Sequence, residues 1–133
     1  MSKKQAQIRL MMKKKILIAD DEQSIRLLVK RFLSQNYIVL EASDGAEAID
    51  IARRENPDLI LMDIMMPGVD GYTACHQITK GQATKAIPVV MLTGVGHELN
   101  KKLSFEVGAT GYITKPFILQ ELLDVIGPLL PVS

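Results

Sequence analysis

Residues 58–71 read DLILMDIMMPGVDG, from Asp58 to Gly71. The first half, Asp58–Asp63, has Leu59, Ile60, Leu61 and Met62 in a row and leaves no face for water. A strand that is apolar on both faces belongs inside a parallel sheet covered by helices. The second half carries Pro67-Gly68 and Asp70-Gly71, which punctuate a loop ahead of a helix from about Tyr72 to Lys80. The strand therefore ends on an acid at the lip of a loop.

The flanking sequence repeats this pattern. On the N-terminal side, Lys15–Asp20 (KILIAD) is another buried-strand candidate ending in acids. Ser24–Ser34 follows, with Ile25, Leu28, Val29, Phe32 and Leu33 along one helical face. Ile38–Ala42 reads as a strand. Asp44-Gly45 opens a helix bearing Ala48, Ile49 and Ala52, which Pro57 stops. On the C-terminal side, Pro88–Thr93 is a strand whose proline sits first, where a missing N–H is tolerated. A polar helix from about His97 to Val107 leads to a short strand, Tyr112–Thr114, framed by Gly108 and Gly111. Phe117–Leu130 is the last helix, with Leu119, Leu122, Leu123 and Ile126 inward. Strand and helix alternate five times, which predicts an α/β fold: a five-stranded, doubly wound parallel sheet, (βα)5. Such sheets place their sites beyond the carboxyl ends of the strands.

Composition fits one globular domain: 133 residues, 47% apolar and 23% charged. A lone cysteine, Cys75, excludes an intrachain disulfide and fits a reducing, cytoplasmic setting. No apolar run approaches the ~18 residues of a membrane span. The formal charge of +1 hides an asymmetry. Lys3, Lys4, Arg9, Lys13, Lys14 and Lys15 precede every acid in the chain, and beyond them Asp and Glu outnumber Lys and Arg. The body is acidic, so it is not expected to bind nucleic acid by counterion release. Residues 1–13 are expected to be a basic N-terminal extension, disordered or foreign to the natural chain, and residues 14–131 the folded domain. Met11 and Met12 leave a later natural start open.

At the strand ends the residue types are restrictive. Asp20-Asp21 closes the first strand, Asp63 the third and Thr93-Gly94 the fourth, while Lys115-Pro116 follows the fifth. Three carboxylates on one rim repel one another unless a cation is present, and one lysine does not balance three acids. A hard divalent ion with oxygen ligands, Mg²⁺, is the natural complement, and it favours sites that also hold phosphate oxygens. A carboxylate can itself accept a phosphoryl group. Taken singly, each residue has a plainer reading: a helix cap for the acidic pair, a loop cap for Asp63, a turn for Thr93, a surface lysine for Lys115. Their joint placement at successive strand ends is what points to phosphoryl chemistry.

These residues resemble the receiver domain of bacterial two-component response regulators, the CheY-like family. The resemblance spans about Lys14 to Leu130. It is carried by Asp20-Asp21, by the D-x-x-M-P-x-x-D-G segment from Asp63 to Gly71, by Thr93-Gly94, and by Gly111–Phe117 (GYITKPF). The resemblance implies a flavodoxin-like strand order 2-1-3-4-5 and a phosphorylation-activated signalling switch rather than an enzyme acting on other substrates. Asp63 would accept a phosphoryl group from a phosphohistidine on a sensor kinase or phosphotransfer partner. Asp21, Asp20 (through water), Asp63 and the backbone carbonyl of Met65 would hold Mg²⁺, with Mn²⁺ as a substitute. Lys115, Thr93 and Gly94 would bind the phosphoryl group, Tyr112 would be the aromatic switch, and the Lys115–Pro116 bond would be cis. The helix 97–107, strand 112–114 and helix 117–130 would form the face read by an output partner or domain.

Two other classes share parts of this pattern. A haloacid-dehalogenase-type phosphohydrolase also forms an aspartyl phosphate, but it needs an acid two residues after the nucleophile, where this chain has Met65. A flavin or nucleotide module on the same topology needs a loop of donors after the first strand, where this chain has Asp20-Asp21-Glu22. Met65, two residues after Asp63, and Val95, two after Thr93, are apolar where family members often carry polar groups. This predicts a comparatively long-lived phosphorylated form.

Overall fold

The structure, a computed structural model, describes residues 1–94 and 98–130. Val95, His97 and Pro131 lie outside the described residues. The chain runs α1 (Lys3–Met11), β1 (Lys14–Ala19), α2 (Gln23–Leu33), β2 (Tyr37–Ala42), α3 (Gly45–Glu55), β3 (Leu59–Asp63), α4 (Gly71–Lys80), β4 (Val89–Gly94), α5 (Glu98–Glu106), β5 (Gly111–Lys115) and α6 (Leu119–Leu129). The strands form one parallel sheet in the order β2-β1-β3-β4-β5.

Side chains alternate across a strand, and the sheet sorts them into two cores. Leu17, Ala19, Ile60, Met62, Val89 and Met91 pack with Ala48, Ala52, Ala74 and Ile78 of α3 and α4. Ile16, Ile18, Leu59, Leu61, Val90 and Leu92 pack on the other side with Val29, Leu33, Leu122 and Ile126 of α2 and α6. Leu59, Ile60, Leu61 and Met62 are all fully buried. At roughly 1.5–3 kcal/mol for each buried side chain, the strand that ends in Asp63 is firmly anchored.

The sequence reading placed no element before residue 14, yet Lys3–Met11 is helical. Its start is a capping box: the Gln5 N–H donates to Ser2 Oγ, and the Ser2 N–H donates to Gln5 Oε1. None of its residues is buried, so no apolar periodicity announced it. Among the described residues, no helix is long and apolar enough to cross a membrane.

The loop after β3 is set by one glycine. The Gly71 N–H donates to Ile64 O at 2.9 Å, which folds the loop back onto the strand end. A Cβ at Gly71 would collide with the Asp63 carbonyl. Gly71→Ala is therefore expected to destabilise the protein by about 3 kcal/mol in urea unfolding, at the upper end for overpacking. An unchanged midpoint would show that the loop does not hold Asp63 in place.

Candidate functional site

Parallel register brings the candidate site residues to one rim. Ala19 lies opposite Met62, Asp63 opposite Leu92, Thr93 opposite Thr114, and Gly94 opposite Lys115. Asp20 and Asp21 follow β1 directly, so acids, hydroxyl and ammonium all leave the sheet at its carboxyl edge.

Asp20 is fully buried, and each of its polar groups is satisfied. Its N–H donates to Ala42 O at 3.0 Å. The Glu22 N–H donates to its Oδ1 at 2.9 Å, and Lys115 Nζ donates to its Oδ2 at 2.6 Å. Arg26 Nη1 donates to its carbonyl at 2.8 Å. Lys115 Nζ also donates to Asp63 Oδ1 at 3.2 Å, so one ammonium is shared by two carboxylates. Asp21 is exposed, and one carboxylate oxygen from each of Asp20, Asp21 and Asp63 lies within 4.8 Å of the others.

Electrostatics reflect this crowding. Burial is the largest cause pushing the Asp63 carboxyl up to about 6, the charge of Asp20 adds to it, and Lys115 pulls the other way. For Lys115, burial alone would depress the ammonium, but its hydrogen bond to Asp20 and the charges of Asp63 and Asp20 outweigh that and raise it. The lysine stays charged at neutral pH.

Thr93 is buried, and its Oγ1 is the one buried side-chain polar atom among the described residues with no hydrogen-bond partner. Leaving a buried hydroxyl unsatisfied costs about 1–3 kcal/mol. Gly94 is exposed at the end of β4. Tyr112 is half-buried: its ring meets Phe105 edge-on at 5.9 Å between centroids, and Lys101 Nζ sits 5.0 Å from its centroid. Met65 is 77% exposed. The Lys115–Pro116 peptide is cis. Cys75 is buried in the core, where burial pushes its thiol up to about 12 and keeps it protonated.

The donor chemistry suits a hard cation. All three side-chain groups at the rim offer carboxylate oxygens, with neither sulfur nor imidazole among them, and the single ammonium leaves net negative charge there. Mg²⁺ or Mn²⁺ fits this set. Sequence reasoning missed Arg26, because nothing in its local pattern reveals a partner at Asp20, whereas the Glu22 N–H on Asp20 Oδ1 is the local turn contact an aspartate makes two residues on. The S-x-x-Q spacing of Ser2 and Gln5 was the signal available for α1.

Comparison with known proteins finds relatives in sequence and solved structures of the same fold. The family described as "Response regulator receiver domain" matches residues 16–127. The chain is 46% identical over 110 residues to the transcriptional regulatory protein ResD of Bacillus subtilis (strain 168), covering 82% of this chain and 45% of that protein. It thus spans about half the length of the curated relatives it matches. The chemotaxis protein CheY4 of Vibrio cholerae superposes with a TM-score of 0.83 at 34% identity, covering 89% of this chain and 99% of that one. The receiver domain of a sensor histidine kinase from Pseudomonas aeruginosa PAO1 superposes at 0.81 with 28% identity, over 88% and 97%. That structure has a magnesium ion coordinated in its active-site cleft.

Proposed function

Because this chain belongs to the response regulator receiver domain family, the signalling modules of two-component systems, we propose that it is a switch thrown by phosphorylation of Asp63. The observation that carries this reading is the shared ammonium of Lys115, 2.6 Å from Asp20 and 3.2 Å from Asp63 beside a third acid.

A carboxylate oxygen of Asp63 attacks the phosphorus of a phosphohistidine on a sensor kinase or phosphotransfer protein. The new P–O bond forms as the P–N bond breaks, and the imidazole leaves with the electron pair and takes up a proton. Asp20, Asp21, Asp63 and the Met65 carbonyl are the groups that would hold Mg²⁺, which when bound supplies a counter-charge for the phosphoryl oxygens. Lys115 releases Asp63 and pairs with the transferred group. Thr93, with its hydroxyl unpartnered, donates to one of the new oxygens, and Gly94 leaves room beside it. Only groups that interact differently with the two states shift a conformational equilibrium, and Thr93 and Lys115 are those groups. Their strands lead into α5 and α6, so the face α5–β5–α6, with Tyr112 at its centre, reports the change to an output partner or domain. We assign residues 14–131 to the receiver and 1–13 to an extension outside it, and a cytoplasmic setting suits the kinase partnership.

The test is incubation with a small phosphodonor and Mg²⁺, followed by intact mass and by resonances of α5 and Tyr112. Wild type should gain one phosphoryl group and shift those resonances, and Asp63→Asn should do neither. Equal labelling of both proteins would overturn the assignment.

Met65 brings no polar group to place a hydrolytic water, and Val95 is apolar as well. The phosphorylated form should therefore outlast the minutes scale in purified protein with Mg²⁺, and Met65→Asn should shorten its lifetime at least threefold, on the order of 0.7 kcal/mol. A wild-type lifetime of seconds, or no change in the variant, would contradict this.

A further inference from the structure

We infer that Arg26 is a positioning residue for the metal site, acting by fixing the plane of the Asp20–Asp21 peptide. This rests on the metal-site reading above. The Asp20 carbonyl and the Asp21 N–H belong to one planar unit, so whatever pins that carbonyl also sets where Asp21 leaves the chain. Arg26 Nη1 donates to the carbonyl at 2.8 Å, while its Nε donates to Glu41 Oε1 at 3.3 Å on the neighbouring strand β2. The two contacts use two arms of one rigid guanidinium fork, a geometry an ammonium does not reproduce. The Arg26 side chain is only 16% exposed, which keeps the fork seated.

The arrangement matters because the two acids differ in restraint. Asp20 is held through its N–H, both carboxylate oxygens and its carbonyl. Asp21 is exposed, and its carboxylate reaches the cluster only if its backbone is aimed there. A free guanidinium this close would also repel a cation. Glu41 offsets that charge only in part, because its other oxygen lies 3.3 Å from Lys30 Nζ and one carboxylate serves two cations. Charge and geometry therefore act in opposite directions: repulsion alone would make loss of Arg26 tighten cation binding, whereas loss of the anchor weakens it.

The experiment measures Mg²⁺ affinity calorimetrically in wild type, Arg26→Met and Arg26→Lys, with the backbone amide order parameter of Asp21 followed in the metal-free proteins. Thermal melts identify the folded fraction of each variant. Arg26→Met should bind Mg²⁺ roughly tenfold more weakly, as for loss of a residue supporting metal ligands, and its Asp21 amide should show a lower order parameter. Arg26→Lys keeps the charge without the fork and should recover only part of the affinity. Unchanged affinity in folded Arg26→Met, even with a lower melting temperature, would reduce Arg26 to a structural role and overturn the inference. Tighter binding in Arg26→Met, or full recovery in Arg26→Lys, would show that charge governs and overturn it too. Failure of the wild type to bind Mg²⁺ would instead remove the metal-site reading itself.

Discussion

Lys115→Met is expected to destabilise the metal-free protein by about 3 kcal/mol at pH 7, because it leaves a buried carboxylate unpaired. Lys115 is hydrogen-bonded to Asp20, which is fully buried, and to Asp63, which is nearly so. Without the ammonium, two acids face each other and one must take up a proton. The pH dependence follows from Asp63, whose carboxyl is already pushed up to about 6, by burial first and by Asp20 next. Losing Lys115 removes the influences that lower it. For an acid raised in the folded state, that state binds more protons than the unfolded chain, so stability falls as pH rises through the window. The deficit of Lys115→Met should therefore be large at pH 7–8 and shrink towards pH 5. Urea titrations across that range measure it, and a deficit independent of pH would contradict the pairing. Phosphorylation by a small donor should also slow by at least tenfold, about 1.4 kcal/mol, since the positive charge paired with the acceptor is gone.

The second large effect has the opposite sign. Asp63→Asn should stabilise the metal-free protein at pH 7–8, because an ionised carboxylate costs more at this position than a neutral amide. A carboxyl raised from 3.8 to about 6 corresponds to about 3 kcal/mol at most. The lost hydrogen bond to Lys115 offsets part of it, leaving a gain of roughly 1–2 kcal/mol. Below about pH 3 the wild-type carboxyl is protonated in both states and the advantage should vanish. Mg²⁺ should raise the melting temperature of wild type at pH 8 more than at pH 5, where it competes with a proton, and should do little for Asp63→Asn. A melting temperature for Asp63→Asn below wild type at pH 8 would show that the acceptor is not held at an electrostatic cost.

Much of this is legible in the sequence alone. Runs such as Leu59–Met62 and Val89–Leu92 have no polar face, and a strand of that kind is stable only between two helical layers. The alternation of such strands with amphipathic helices left few arrangements. Boundaries moved by a residue or two, mostly where a cap decided them: Asp70 caps α4 by accepting from the Thr73 N–H, and Asn56 leaves α3 in the left-handed region at φ 45°. The acids, Thr93 and Lys115 were legible as residue types at strand ends. Three things were not. Partners across space, such as Arg26 at the Asp20 carbonyl, leave no periodic trace. The cost of ionising Asp63 depends on burial, which the chain does not print. The missing partner of Thr93 Oγ1 appears only when every neighbour is in place.

Phosphorylation should convert the Asp63 carboxylate into a mixed anhydride with phosphate. This is tested most directly by treating the phosphorylated protein with borohydride, which reduces an acyl phosphate to an alcohol, and mapping the products by peptide mass. Homoserine is expected at position 63, and at neither Asp20 nor Asp21. Homoserine at either neighbour, or a borohydride-resistant phosphate on a hydroxyl side chain, would contradict it.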